Sequence, residues 1–203
     1  MQQDIFVGFV FREFLITFKG IFEFPNYDSV NQPAMYSWND GQYQKFMLEL
    51  LQNMEPRQEF ENSIIFKELD EVNEIMFFDK GTVDIGFEIN HVSKMVLRLS
   101  KEIVVGAYNM SMGKRTKFIY MASSYCSGYS IRRSNWVKII QEDDYMTLTR
   151  NLVQSFKKYY QKCIFSVMKP EKDNAISKWE TRKDFTELLA TRIIEREIDL
   201  SDD

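Results

Sequence analysis

From Val83 to Ile89 the chain alternates without a break: Val83, Ile85, Phe87 and Ile89 are apolar, and Thr82, Asp84, Gly86 and Glu88 stand between them. A period of two gives a strand one apolar and one polar face, so this segment demands a sheet covered on one side. Other short apolar runs surround it: Ile64-Ile65-Phe66, Ile75 to Phe78, Met95 to Leu99, Phe118 to Ala122, and Tyr125 to Arg132 with Tyr125, Tyr129 and Ile131 on one face. Asp79-Lys80-Gly81 reads as a hairpin turn with glycine where φ is positive, and Asn90 to Lys94 as a polar turn. Short strands at this spacing predict an antiparallel sandwich or jelly roll and not a parallel sheet.

Helical periodicity flanks the strands. Phe6, Val10, Phe14, Phe18 and Phe22 recur every four residues, with Phe9, Phe11 and Leu15 widening the stripe, which predicts a helix over residues 4–22. Such a helix is too apolar to stand alone and must pack on the domain or on a partner. Pro25 and Pro33 bracket a polar loop. A second helix, capped by Asn39 or Asp40, then carries Phe46, Met47, Leu50, Leu51 and Met54 and stops at Glu55-Pro56. Beyond the strands, Ser134 or Asn135 caps a short helix that ends at Ile140. A long helix over residues 144–168 has a seam of Leu148, Leu152, Phe156, Tyr159 and Cys163, and Pro170 ends it. A last segment, 174–197, holds Ile176, Trp179, Leu188, Leu189 and Ile193, and an acidic end frays into solvent.

At 203 residues the chain suits one core with helical extensions, divided as 1–56, 57–168 and 169–203. A hydrophobic content of 44% is enough to fold, and a net charge of -4 argues against a general affinity for nucleic acid. Cys126 and Cys163 have neither zinc-site nor disulfide-framework spacing, which fits free thiols in a reducing cytosol. Met1-Gln2-Gln3-Asp4 lacks the basic start of a secretory leader, and Arg12, Glu13 and Lys19 interrupt the apolar run up to Phe22, so no membrane span is expected. The expected location is cytoplasmic. One histidine, His91, sits in a turn, and no nucleophile motif or phosphate-gripping P-loop occurs, so catalysis has no evident seat.

The chemistry concentrates between Val104 and Ala122. Gly106 follows an apolar pair and lets the backbone approach a ligand; amides near Ala107, Tyr108 and Asn109 open a helix; Arg115-Thr116 enters a strand. Backbone N–H groups with one arginine form an anion site. Gly106 also fits a plain turn, and Arg115 also fits a surface strand start. Arg132-Arg133-Ser134 fits a helix cap, and Lys157, Lys158 and Lys162 a solvated helix face.

This arrangement resembles the cyclic nucleotide-binding domain. Ile65 to Glu71 is similar to the opening strand and turn, Phe77 to Ile85 to the glycine hairpin, and Ile131 to Ile140 to the last strand and short helix. Asp84 to Asn90 and Lys114 to Tyr120 are most similar to the cytoplasmic tails of ciliate-type voltage-gated cation and potassium channels. The resemblance covers residues 36–168 and implies an α+β fold, a jelly roll preceded by linker helices and followed by a short and a long helix. It implies a non-catalytic regulatory module that contacts a channel pore or other subunits through its N-terminal helices. Homo-oligomers stay open, as does the alternative of a kinase regulatory subunit that binds cyclic AMP or cyclic GMP. A transcription factor would need a helix-turn-helix after the long helix. Position 107 departs from the family, where ligand-binding members carry glutamate. Ala107 cannot accept from a ribose hydroxyl, a loss of roughly 1.5–3 kcal/mol, or about ten- to a hundredfold in affinity. The loop to Arg115 is one residue short, and the pocket is expected to be partly filled by Tyr108, Met110 or a side chain from the long helix. No cofactor is expected, and nucleotide binding should be weak or absent.

Overall fold

The computed structural model describes residues 13–26 and 34–199, and the side chains of 13–24 and 35–183. Its centre is a sandwich of two antiparallel four-stranded sheets. The first has the order β3 (Met54–Glu59), β10 (Cys126–Arg132), β5 (Glu74–Lys80), β8 (Ile103–Val105). The second has the order β4 (Ile64–Phe66), β9 (Ile119–Ala122), β6 (Val83–Ile89), β7 (Val92–Leu99). The expected jelly roll with flanking helices is therefore the architecture found. Val83, Ile85 and Phe87 are fully buried as their alternation requires, and Ile89 is half-buried at the strand end.

Gly81 corrects one expectation. Its φ of 100° is left-handed as foreseen, but β5 pairs with β10 and β8, whereas β6 pairs with β7 and β9. Asp79-Lys80-Gly81 is thus a corner between sheets and not a hairpin turn. A Cβ on Gly81 would sit 2.5 Å from the Tyr125 carbonyl oxygen, so close approach and backbone sign both select glycine. The β6–β7 hairpin turns instead at Asn90 and His91, both with positive φ, and β7 already begins at Val92.

The N-terminal stripe packs on this roll. Helical residues 13–17 lead into α1 (Lys19–Phe22), and Phe14, Phe18 and Phe22 each lie 5.4–5.8 Å from the Phe77 ring on β5. Burying each ring contributes on the order of 1.5–3 kcal/mol. Phe6, Phe9, Val10 and Phe11 lie outside the described residues. The loop bracketed by Pro25 and Pro33 contributes a small β-pair, β1 (Pro25–Asn26) with β2 (Ala34–Met35).

Helix α2 (Gly41–Gln52) buries Phe46, Met47, Leu50 and Leu51. Asp40 is its N-cap residue, yet the carboxylate turns back to accept from the Ser37 amide at 2.7 Å. The helix ends before Met54, which with Pro56 belongs to β3; a proline is tolerated there because β3 is an edge strand. Helix α4 (Arg133–Ile140) starts earlier than a Ser134 or Asn135 cap would allow, with Arg132 as its cap residue.

The C-terminal helices show the largest departure. After a 3-10 turn, Asp143–Tyr145, come α5 (Met146–Tyr159), a π-helical segment Tyr160–Phe165, and α6 (Ser166–Asp199), which runs straight through Pro170. The donor Pro170 lacks would have met the Ser166 carbonyl in the first turn of this helix, and the loss of that one bond does not end it. The buried seam is Leu148, Leu152, Phe156, Tyr160, Ile164 and Met168, so Tyr160 and Ile164 replace Tyr159 and Cys163. Steps of four run ahead of an α-turn of about 3.6 residues; the wider π turn winds the row back onto the roll. Further on, Ile176 and Trp179 are exposed, and Leu188, Leu189 and Ile193 have side chains outside the described set. No helix among the described residues is long and apolar enough to cross a membrane.

Candidate functional site

Strand β8, buried throughout, delivers the chain to Gly106. There φ is 81°, and a Cβ would lie 2.7 Å from the Glu74 carbonyl oxygen and 2.8 Å from Val72. Glycine is required on both counts. Helix α3 (Ala107–Ser111) follows with Gly106 as its cap, Ala107 and Asn109 buried and Tyr108 half-buried. Its five residues are too few for a helix dipole to define an anion site.

Hydrogen bonds tie the loop from α3 to β9 to its neighbours. Asn109 Nδ2 donates to the Arg115 carbonyl at 2.8 Å, and the Lys114 amide donates to the Asn109 carbonyl at 2.8 Å. Arg115 Nη1 donates to the Leu69 carbonyl at 2.8 Å. Buried Thr116 donates its hydroxyl to the Lys67 carbonyl and its amide to the Asp70 carbonyl. Arg115 and Thr116 are thereby engaged with the turn after β4, held in shape by Asp70 accepting from the Lys67 amide. The sequence-predicted residues Gly106, Ala107, Tyr108, Asn109, Arg115 and Thr116 thus form one cluster with this turn.

Aromatic side chains close the space beside Gly106 and Ala107. Tyr108 stacks on Tyr160, ring centroids 4.2 Å apart and planes 6° from parallel. Tyr120, Tyr159 and Phe156 complete the lining, leaving about 10 Å³, room for at most one water. Tyr159 accepts from the Val104 amide at 3.2 Å, while the buried Tyr160 hydroxyl has no partner among the described residues. Burial, with Tyr108 nearby, pushes the Tyr160 phenol up to about 12, and burial likewise raises Tyr120 and Tyr159. All three are neutral hydrogen-bonding groups at physiological pH. Ala107 places no acceptor in this space.

Tyr120 and Tyr160 could not be read as site residues from the sequence, because one sits in a strand and the other on a helix far along the chain. The only local signal was the helical seam, and the π segment moved it by one residue. Met110 lines a different recess, with Arg115 and Arg133. His91 is exposed, 3.7 Å from Glu88, and no cluster of three metal-ligating side chains occurs among the described residues.

No family model and no curated protein matches the sequence. Solved structures do resemble the fold. The regulatory subunit of a cAMP-independent protein kinase A from Trypanosoma brucei aligns with a TM-score of 0.53 at 13% identity, over 75% of this chain and 45% of that one. A mutant of that subunit bound to cAMP in the A site gives 0.55 at 14% identity, over 80% and 50%. The c-di-GMP responsive global regulator CLP from Xanthomonas campestris gives 0.50 at 13%, over 61% and 60%. The chain spans half or less of either trypanosome protein. These likenesses show the fold alone, an antiparallel sandwich with flanking helices that matches the fold of cyclic nucleotide-binding domains.

Proposed function

We propose that this chain is a non-catalytic, cytoplasmic regulatory module whose nucleotide pocket is occupied by its own side chains, so that cyclic AMP and cyclic GMP bind weakly or not at all. The observation that carries this reading is the Tyr108–Tyr160 stack over a space of about 10 Å³, against roughly 300 Å³ or more for a typical small-molecule site. Ala107 and the commitment of Arg115 to Leu69 act in the same direction. The module passes contact information between its N-terminal helices and a larger assembly. A channel pore is the partner suggested by the wording of residues 84–90 and 114–120.

A second reading, a kinase regulatory subunit, is favoured by the likeness to the trypanosome subunit and its mutant, both from a protein kinase A described as cAMP-independent. Calorimetry with both nucleotides tests the proposal. The unaltered chain should bind no tighter than about 100 µM, and Ala107→Glu combined with Tyr160→Ala should gain about tenfold or more. Sub-micromolar cyclic AMP binding by the unaltered chain, insensitive to Arg115→Ala, overturns it.

A further inference from the structure

A groove of about 500 Å³ opens where the edge strand β3, strand β10 and the start of α4 meet. It shares no lining residue with the closed space beside Ala107. Both signs of charge line it. Arg132 of β10 lies 2.7 Å from the Glu55 carboxylate of β3, and both side chains are largely exposed. Arg57, two residues further along β3, stands between Glu59 at 2.6 Å and Glu74 at 3.2 Å, and Arg133 pairs with Glu71.

Ser130 sets this groove apart from ordinary charged surface. It is directly opposite Glu55 in the β3–β10 register and lines the groove, yet the residue is only 4% exposed. Its hydroxyl makes no hydrogen bond among the described residues, whereas a buried hydroxyl is ordinarily paired. The first turn of α4 adds a second unmet need. Its cap residue, Arg132, supplies no side-chain bond, and no acidic residue stands in that turn, although Ser134 there faces the groove. That end of the groove favours a negative group, while Glu55 and Glu74 favour a positive one.

A simple anion would have to take an arginine from its carboxylate and leave the carboxylate unpaired. A simple cation would strand an arginine in the same way. A molecule carrying both charges close together avoids either loss, because it can enter between Arg132 and Glu55 and give each a new partner. Exposed ion pairs contribute little, so parting this one costs little. We infer that the groove is a binding site for a small zwitterion of the α-amino acid class. The carboxylate lies toward Arg132 and the first turn of α4, the ammonium toward Glu55, and the Ser130 hydroxyl, able to donate and to accept, bonds to the bound molecule. The site stands whether or not a cyclic nucleotide binds the chain.

Titration calorimetry on the full chain at low ionic strength tests it, with glycine, L-leucine, L-glutamate and L-arginine as zwitterions and with acetate and methylammonium as single-charge probes. At least one amino acid should bind with Kd of about 1 mM or tighter, and acetate and methylammonium at least about tenfold more weakly. Ser130→Ala, which removes one oxygen, and Glu55→Gln, at an exposed edge position, should each weaken the amino acid about tenfold or more. The control Lys101→Ala/Lys158→Ala should leave binding unchanged. Absence of saturable amino-acid binding, acetate or methylammonium binding as tightly as the amino acid, or full-strength binding by either Ser130→Ala or Glu55→Gln overturns the assignment.

Discussion

Strands β5 and β6 have equal length and follow one another in the chain, and both are buried over most of their length, yet their second faces meet different partners. In β5 the run Ile75-Met76-Phe77-Phe78 is buried on both faces, because the N-terminal helix and Phe156 of α5 cover the face that carries Phe77 while the roll covers the other. In β6 the apolar positions are buried, but Asp84 turns the other way to meet the exposed Arg98 with two bonds of 2.7 Å. The difference teaches that an unbroken apolar run marks a strand whose second face meets aromatic rings of the flanking helices, and strict alternation one whose second face is closed by a polar pair. It also says where the molecule is least tolerant of change.

The largest effect is expected at Phe77, whose ring meets Phe14, Phe18, Phe22 and Phe156. Phe77→Ala should cost roughly 3–5 kcal/mol in urea unfolding. A loss below about 1 kcal/mol, the range of an exposed site, would break the distinction between the two sheets.

A smaller effect is expected on the other sheet. The Arg98 guanidinium holds the Asp84 carboxyl below the usual carboxylate range. A depressed folded-state pKa adds stability above the unfolded value, near 4, and that contribution disappears as pH falls through the lower folded value. Asp84→Asn should therefore cost about 1 kcal/mol at pH 7, with the gap to the unaltered chain closing as the pH is lowered below about 4. A gap of constant size in melts from pH 7 to pH 2 would mean the pair contributes nothing electrostatic.

The smallest effect should have the opposite sign. Asn90 and His91 both take left-handed φ, 52° and 61°, in the β6–β7 turn. His91→Gly removes the side chain from a conformation that suits glycine and should raise stability by about 0.5–1 kcal/mol. A lowered melting temperature would show that the imidazole's approach to Glu88 matters more than backbone sign.

Much of this was legible in the residues. Alternation located β6, β7 and β10, because half-buried strands must write their period into the chain, and apolar runs located β4, β5 and β9. Strand β3 was not legible: Met54-Glu55-Pro56-Arg57-Gln58-Glu59 is polar and holds a proline, which an exposed edge permits and a central strand would not. The corner at Gly81 looked like a hairpin because local sequence encodes a reversal without encoding which strand it pairs. The left-handed turn at Gly106 could be anticipated from residue type, since glycine at φ 81° is a local necessity. Its aromatic covering could not, because Tyr120 and Tyr160 reach that space only through the sheet and the π turn.

The pairing of β5 with β8 has a mechanical meaning. Phe77, under the N-terminal phenylalanines, stands opposite Val104, and Met76 opposite Val105, the residue that hands the chain to Gly106. Two adjacent rungs of one ladder thus anchor both the helix at the chain's front and the cap of α3. The phenylalanines packed on Phe77 are therefore separated from Gly106 by a single ladder of backbone hydrogen bonds.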